Sequence, residues 1–302
     1  MPPKTRPRPA VADLASRWYA TRARDLPWRR PDTTPWGVLV SEVMLQQTPV
    51  ARVIDPYRRW LDRWPEPAHL AAEPVGAAIH AWGRLGYPRR ALRLHQAATA
   101  ITQRHAGLVP DDVALLLALP GVGSYTARAV AAFAFGQRHP VVDTNVRRLV
   151  ARAVSGRPDP GPATTTADLE LVESLLPVVP SRAARASIAF MELGALICTA
   201  REPSCPDCPL RRHCAWNLAG RPAATVPTPR RVQRYEGTDR QARGALLARC
   251  RANPAGVDRS TMDAAWSDPA QRDRALRGLL EDGLIVMDNC DRYGLPGIAG
   301  ES

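Results

Sequence analysis

Apolar residues recur every third or fourth position along almost the whole stretch from Val11 to Leu218. No segment there alternates at the period of two that marks a strand. The pattern predicts helices over roughly 11–23, 36–47, 49–63, 74–83, 88–105, 111–118, 124–135, 144–154, 167–176 and 181–197, and so an all-α fold. Breakers separate them. In TPV, Thr48 is expected to cap the following helix, with Pro49 in its first turn. SGRPDPGPATTT (155–166) reads as a loop. AGRPAATVPTPRRVQR (219–234) reads as an extended linker, and the proline-rich, basic MPPKTRPRPA (1–10) as a disordered tail.

After the linker the pattern changes. RQARGALLARCRAN, DRSTMDAAW and DPAQRDRALRGLLEDG read as helices, and LIVMDNCDRYGLP as two short strands around a polar turn. Three helices and a hairpin in that order predict a small winged-helix-like module over 235–302. Its third helix carries Arg272, Arg274 and Arg277 beside an apolar face of Leu276, Leu279 and Leu280, so docking and groove binding are both open to it.

Composition narrows the class. The chain has 302 residues, 45% of them hydrophobic, enough for a real core. No apolar run approaches the ~20 residues of a membrane span, and none follows the basic N-terminus as in a signal peptide. The expectation is a cytoplasmic, nucleoid-associated monomer. A formal charge of +12 favours a polyanionic partner, although an arginine-rich surface alone gives the same balance.

Four of the six cysteines fall close together. Cys198, Cys205, Cys208 and Cys214 have the spacing C-x6-C-x2-C-x5-C. Four thiolates of this kind hold either a structural zinc or a [4Fe–4S] cluster, though zinc sites usually pair two CxxC knuckles and only one is present. Arg201, Arg211 and Arg212 lie within the loop, as phosphate ligands or as surface charge. Cys250 and Cys290 stand apart and are expected as buried free thiols.

LPGVG (119–123) interrupts two helices. Gly121 and Gly123 are expected to take backbone angles closed to other residues and to clear side chains away. Successive N–H groups around Gly121, Val122 and Gly123 then converge with the next helix N-terminus on one phosphate. Two carboxylates stand out beside this turn. Glu42 is the one acid in the apolar helix GVLVSEVMLQQT, where desolvation keeps it protonated. Asp143 starts the helix TNVRRLVARAV, where unpaired N–H groups favour its charge. One neutral and one ionised acid make an acid–base pair.

These motifs together resemble a known family. LPW (26–28), SEVMLQQT, LGY (85–87), LPGVG, VDTNV and the cysteine loop are similar to the MutY adenine glycosylases of the helix–hairpin–helix superfamily, over roughly residues 11 to 217. The resemblance implies a two-lobed glycosylase domain over 11–218. One lobe is a six-helix lobe (about 32–140); the other joins the N-terminal helix to 141–218 and carries a [4Fe–4S] cluster loop (198–214). The implied substrate is duplex DNA with adenine opposite 8-oxoguanine or guanine. Glu42 and Asp143 match the catalytic acids, Asn145 and Tyr125 residues that orient the nucleotide and Asp143, and Gln47 and Tyr87 residues that enter the helix beside the lesion. Endonuclease III carries a lysine nucleophile where this chain has Tyr125, so cleavage of the glycosidic bond without strand scission is expected. Tyrosine also occurs there in thymine-mismatch glycosylases, and the alternative reading is a thymine-mismatch or oxidised-pyrimidine glycosylase of the same fold. Beyond residue 217 the chain departs from the well-studied members, whose 8-oxo-dGTP-hydrolase-like domain does not match the segment from Tyr235.

Overall fold

Helices follow the apolar periodicity along the chain. The computed structural model describes residues 9–223 and 235–298. It contains α1 (Pro9–Arg22), α2 (Pro35–Leu45), α3 (Val50–Arg63), α4 (Pro67–Ala71), α5 (Val75–Trp82), α6 (Arg89–Arg104), α7 (Val113–Leu117), α8 (Ser124–Phe135), α9 (Thr144–Ala153), α10 (Thr166–Leu175), α11 (Pro180–Leu196) and α12 (Ala215–Leu218). Then come α13 (Asp239–Ala252), α14 (Arg259–Ala265), α15 (Pro269–Glu281), β1 (Val286–Met287) and β2 (Tyr293–Gly294). The short helices α4 and α12 have no counterpart in the periodicity, because neither is long enough to repeat an apolar stripe. α1 begins at Pro9, inside the stretch expected as a tail, since proline suits a first helical turn. The rest of that tail, and 224–234 of the expected linker, lie outside the described residues. Among the described residues no helix is long and apolar enough to cross a membrane.

The chain divides into two compact units. The first comprises Met1–Glu42, Asp111–Ala118 and Val122–Thr228. Its core is built from the apolar faces of α1, α9, α10 and α11, with Ala12, Leu149, Val172, Phe190 and Leu193 buried together. α9 and α11 approach closely at Gly194, where a Cβ would lie 2.6 Å from the Asn145 carbonyl oxygen. Arg147 in α9 holds the 155–166 loop. It donates to the carbonyls of Pro160, Gly161 and Ala163 and pairs with Asp168, the acid of the Thr165 capping box that starts α10.

The second unit comprises Val43–Pro110, Leu119–Gly121 and Pro229–Ser302. Trp60 packs edge-to-face against Trp64 and Trp82 in its interior. Thr48 does not cap α3: the N-cap is Pro49, and the Thr48 hydroxyl instead accepts from Arg90. In the C-terminal segment α13 packs on α14 and α15, and β1 pairs antiparallel with β2. Thr238, Asp258 and Asp268 cap its three helices.

Two of the three α15 arginines are committed within this segment. Arg272 pairs with Asp263 and Arg274 with Asp239. Leu276 and Leu279 are buried, Leu280 only partly. Cys250 is a buried thiol, pushed up to about 11 by desolvation. Cys290 is exposed, against expectation, because it falls in the polar turn between the strands.

The segment also closes both ends of α5. Gly76 N–H, an orphan donor of the first turn, donates to the Pro296 carbonyl at 2.9 Å. At the other end Arg251 donates to the Ile79 and Gly83 carbonyls at 3.0 and 2.7 Å. Burial lowers the Arg251 pKa to about 10.

Candidate active site

α2 is apolar on nearly every side, and residues 38–44 are all buried. Glu42, 3% exposed, is its one acid. Desolvation raises its pKa, the nearby Asp143 charge adds to the rise, and Arg29 and a hydrogen bond with Tyr125 oppose it. The direction of the shift is the one expected of a lone acid in an apolar helix. Arg29 Nη2 lies 3.7 Å from Glu42 Oε1, beyond hydrogen-bonding distance. Both Glu42 Oε1 and Arg29 Nη1 are buried without a hydrogen-bond partner among the described residues. Arg29 is steered by Phe133, its guanidinium 4.2 Å from the ring centroid. Sequence reasoning stopped one residue short of it, at LPW; a cation directly after that motif was the available signal.

Asp143 corrects the expected contrast. It is the N-cap of α9: Oδ1 accepts from Val146 N–H at 2.7 Å and Oδ2 from Asn145 Nδ2 at 2.8 Å. These bonds and Arg148 favour the charged form, yet desolvation is larger and the pKa is raised. Both acids are thus pushed the same way, because the cap bonds do not replace the water that burial removes. What distinguishes them is partnership, since Asp143 has donors on both oxygens and Glu42 has one oxygen bare. Tyr125 joins the two, its own pKa raised well above the usual phenol by burial and by both carboxylates.

Asn145 is itself held. Arg148 Nη2 donates to Asn145 Oδ1 at 2.8 Å and to the Gly194 carbonyl at 2.6 Å, and its Nε to the Cys198 carbonyl at 2.6 Å. The acid pair and the first cysteine are therefore linked through one guanidinium.

Cys198, Cys205, Cys208 and Cys214 line one cavity with Leu149, Trp216 and the Arg152 side chain. Burial raises the Cys208 thiol to about 12, with the other three thiols adding to the rise. Among the described residues no three His, Cys, Asp or Glu side chains are grouped as a single ion requires. Arg201, Arg211 and Arg212 are exposed.

The hairpin glycines have separate reasons. Gly121 has φ +77°, and a Cβ there would meet the Arg93 Cβ at 2.7 Å. Gly123, the N-cap of α8, is extended at φ −93° and ψ 177°, so the expectation of special backbone angles fails for it. Its role is spatial: nothing lies within 4 Å of a Cβ there, and no side chain caps the helix. Val122 is buried and anchors the turn.

Gln47 and Tyr87 are both exposed, and both take left-handed backbone angles, φ +54° and +47°. Such a conformation costs a non-glycine residue about 1 kcal/mol or more. One buried side chain stabilises the two turns. Arg90 donates to the Val43 and Met44 carbonyls at 2.8 Å each, to Thr48 Oγ1 at 2.9 Å and to the Gly86 carbonyl at 3.0 Å. Desolvation lowers its pKa to about 10.

Comparison with known proteins agrees with this geometry. Residues 40–174 match the HhH-GPD superfamily of base excision DNA repair proteins. Adenine DNA glycosylases of Mycobacterium tuberculosis and Mycolicibacterium smegmatis are each 54% identical over 281 residues, 93% of this chain and 91% and 94% of theirs. The chain belongs to the adenine DNA glycosylase family. The structure of a thermostable thymine-DNA glycosylase matches with a TM-score of 0.63 and 26% identity, covering 70% of this chain and 97% of that one. The likeness to the mycobacterial adenine DNA glycosylases is longer than the stretch from 11 to 217, so it takes in much of the C-terminal segment as well. In that segment the chain follows these relatives, and the departure noted from sequence concerns only members with a different C-terminal domain.

Proposed function

We propose that the protein removes adenine mispaired with 8-oxoguanine or guanine from duplex DNA by hydrolysing the N-glycosidic bond, without strand cleavage. The observation that carries this is buried Glu42 beside the half-buried Tyr125 and Asp143, with Glu42 Oε1 and Arg29 Nη1 lacking partners among the described residues. The major-groove edge of adenine offers an acceptor at N7 and a donor at the N6 amine, which together suit a neutral carboxyl. The base leaves the stack at a cost of a few kcal/mol. Glu42 donates its proton to N7, so that adenine departs neutral. Asp143 faces the oxocarbenium ion developing at C1′, and Asn145 and Arg148 fix its orientation. Tyr125, with its raised pKa, stays a neutral phenol and forms no Schiff base. Gln47 and Tyr87 fill the duplex beside the lesion, and residues 121–123 hold a phosphate at the open end of α8.

Cys198, Cys205, Cys208 and Cys214 would hold a [4Fe–4S] cluster. Their shared cavity, with a single CxxC rather than two paired knuckles, suits a multi-atom cluster better than zinc. When bound, it supplies a fixed, charged scaffold for the loop bearing Arg201, Arg211 and Arg212. Purified protein should be yellow-brown, with about four irons and four sulfides per chain. A colourless, fully active protein with one zinc would overturn the assignment.

The deciding assay measures base release from duplexes carrying A opposite 8-oxoguanine, A:G, T:G and thymine glycol. Release confined to the first two is expected. The likeness to a thymine-DNA glycosylase structure supports the second reading, a thymine or oxidised-pyrimidine glycosylase. Activity on the last two duplexes alone would favour it.

A further inference from the structure

The C-terminal segment reaches the turn that carries Tyr87. Arg240, in the first turn of α13, holds its guanidinium carbon 4.2 Å from the Tyr87 ring centroid and 5.9 Å from that of Tyr235. A Cβ on Gly86 would lie 3.7 Å from Arg240 Nη2, so the guanidinium also runs along the backbone of the turn. Arg240 is exposed and, among the described residues, has no carboxylate and no hydrogen-bond partner. Four other arginines of the segment are differently placed. Arg243, Arg259, Arg272 and Arg274 are each held by an aspartate of the same segment. The second cation over Tyr87, Arg90, is committed to buried carbonyls.

The turn is fixed from the same side. Arg251 closes the C-terminal end of α5 just before it, and Asp282 pairs with both Arg243 and Arg89 just after it. A free guanidinium is therefore delivered to a rigid place, stacked on an exposed aromatic ring. Stacking leaves the guanidinium edge, with its N–H donors, pointing outward for an oxyanion.

We propose that Arg240 is a DNA-binding residue of the C-terminal segment: stacked on Tyr87, it donates to a backbone phosphate of the duplex where Tyr87 enters. The proposal rests on the reading of Tyr87 as a residue that enters the helix beside the mispair. It makes the segment part of the DNA surface through one side chain, and assigns it no reading of the base opposite adenine.

The test uses the full chain with its cysteine loop loaded. Binding of Arg240→Ala and Arg240→Lys is measured across a salt series on fully paired, A:8-oxoguanine and A:G duplexes, with single-turnover adenine release alongside. Arg240→Ala should weaken all three by a similar factor, roughly tenfold at low salt, and lower the log–log salt slope by about one. Arg240→Lys should restore the slope but only part of the affinity, since a lysine keeps the charge without the planar stack. Unchanged affinity and slope in Arg240→Ala would overturn the proposal. So would a loss confined to the 8-oxoguanine duplex at constant slope, which would indicate a base contact. If the wild type released no adenine, the functional reading would fail, while the slope on paired duplex would still decide Arg240.

Discussion

The carboxylates around Glu42 and those of the C-terminal segment are the same chemical groups put to opposite uses. In the C-terminal segment each acid that pairs with an arginine keeps some exposure to solvent. Asp239 accepts from Arg274 and Gln271, which hold its carboxyl down at about 2, and Asp258 is lowered by the cap bond from Thr261. Glu42 is buried and Asp143 half-buried, both are raised by desolvation, and one Glu42 oxygen has no partner among the described residues. A satisfied acid stabilises a fold slightly and does nothing further. An acid held out of water with hydrogen-bonding capacity to spare is poised to exchange a proton with a substrate.

The sharpest way to break this comparison is to neutralise one acid of each kind. Glu42→Gln cannot protonate a base, and Asp143→Asn removes the charge facing the cation. Each should lose on the order of 10²-fold or more in single-turnover adenine release while still binding duplex. Asp239→Asn should change that rate by less than about twofold, since an exposed pair contributes little. A near wild-type rate in either active-site variant would withdraw its role.

A pH–rate profile sharpens the contrast without mutation. The proposed reaction needs Glu42 protonated, so the rate should fall as pH rises through its raised pKa. It needs Asp143 ionised, so the rate falls at the acid end, also above the ordinary aspartate range because that pKa is raised too. An acid limb at the usual aspartate value would contradict the desolvation that raises Asp143.

Next in size is a stability effect. Arg90→Met leaves the Val43 and Met44 carbonyls without their donor, leaves the Gly86 carbonyl to Trp82 alone, and frees the turns at Gln47 and Tyr87. Unfolding free energy should fall by about 3 kcal/mol, read from denaturant midpoints, with weaker duplex binding in addition. Full retention of both would show that the left-handed turns hold themselves. The smallest effect is expected at the hairpin. Gly123→Ser supplies an N-cap to α8 and should raise stability by about 0.5 kcal/mol. It should also lower DNA affinity, because the added side chain enters the open space meant for a phosphate. Tighter binding would remove the phosphate role from this turn.

Much of this was legible in the chain. Ser124–Phe135 is bounded as its apolar spacing and the LPGVG turn indicate, and three helices follow the linker where their apolar spacing places them. Glu42 could be placed because a lone acid in an apolar helix has nowhere to go but inside. The electrostatics of Asp143 were not legible: a cap position announces its hydrogen bonds but not its depth, and depth decided the pKa. Arg29, Arg90 and Arg251 were equally hidden among 41 basic residues, since a buried arginine is distinguished only by the distant carbonyls it meets. Cys290 was misjudged for the related reason that burial of a thiol is set by its neighbours in space.

The closure of α5 by Pro296 and Arg251 has a consequence for the order of events during synthesis. A helix made early presents its bare donor and bare carbonyls until a stretch about two hundred residues later has been translated and docked. The turn bearing Tyr87, which follows that helix directly, therefore acquires its final shape late. Contacts of such long sequence separation form slowly, and a nascent chain lacking them leaves both ends of α5 open to water. Closure of that helix is thus deferred until α13 and the segment after β2 have been made and docked.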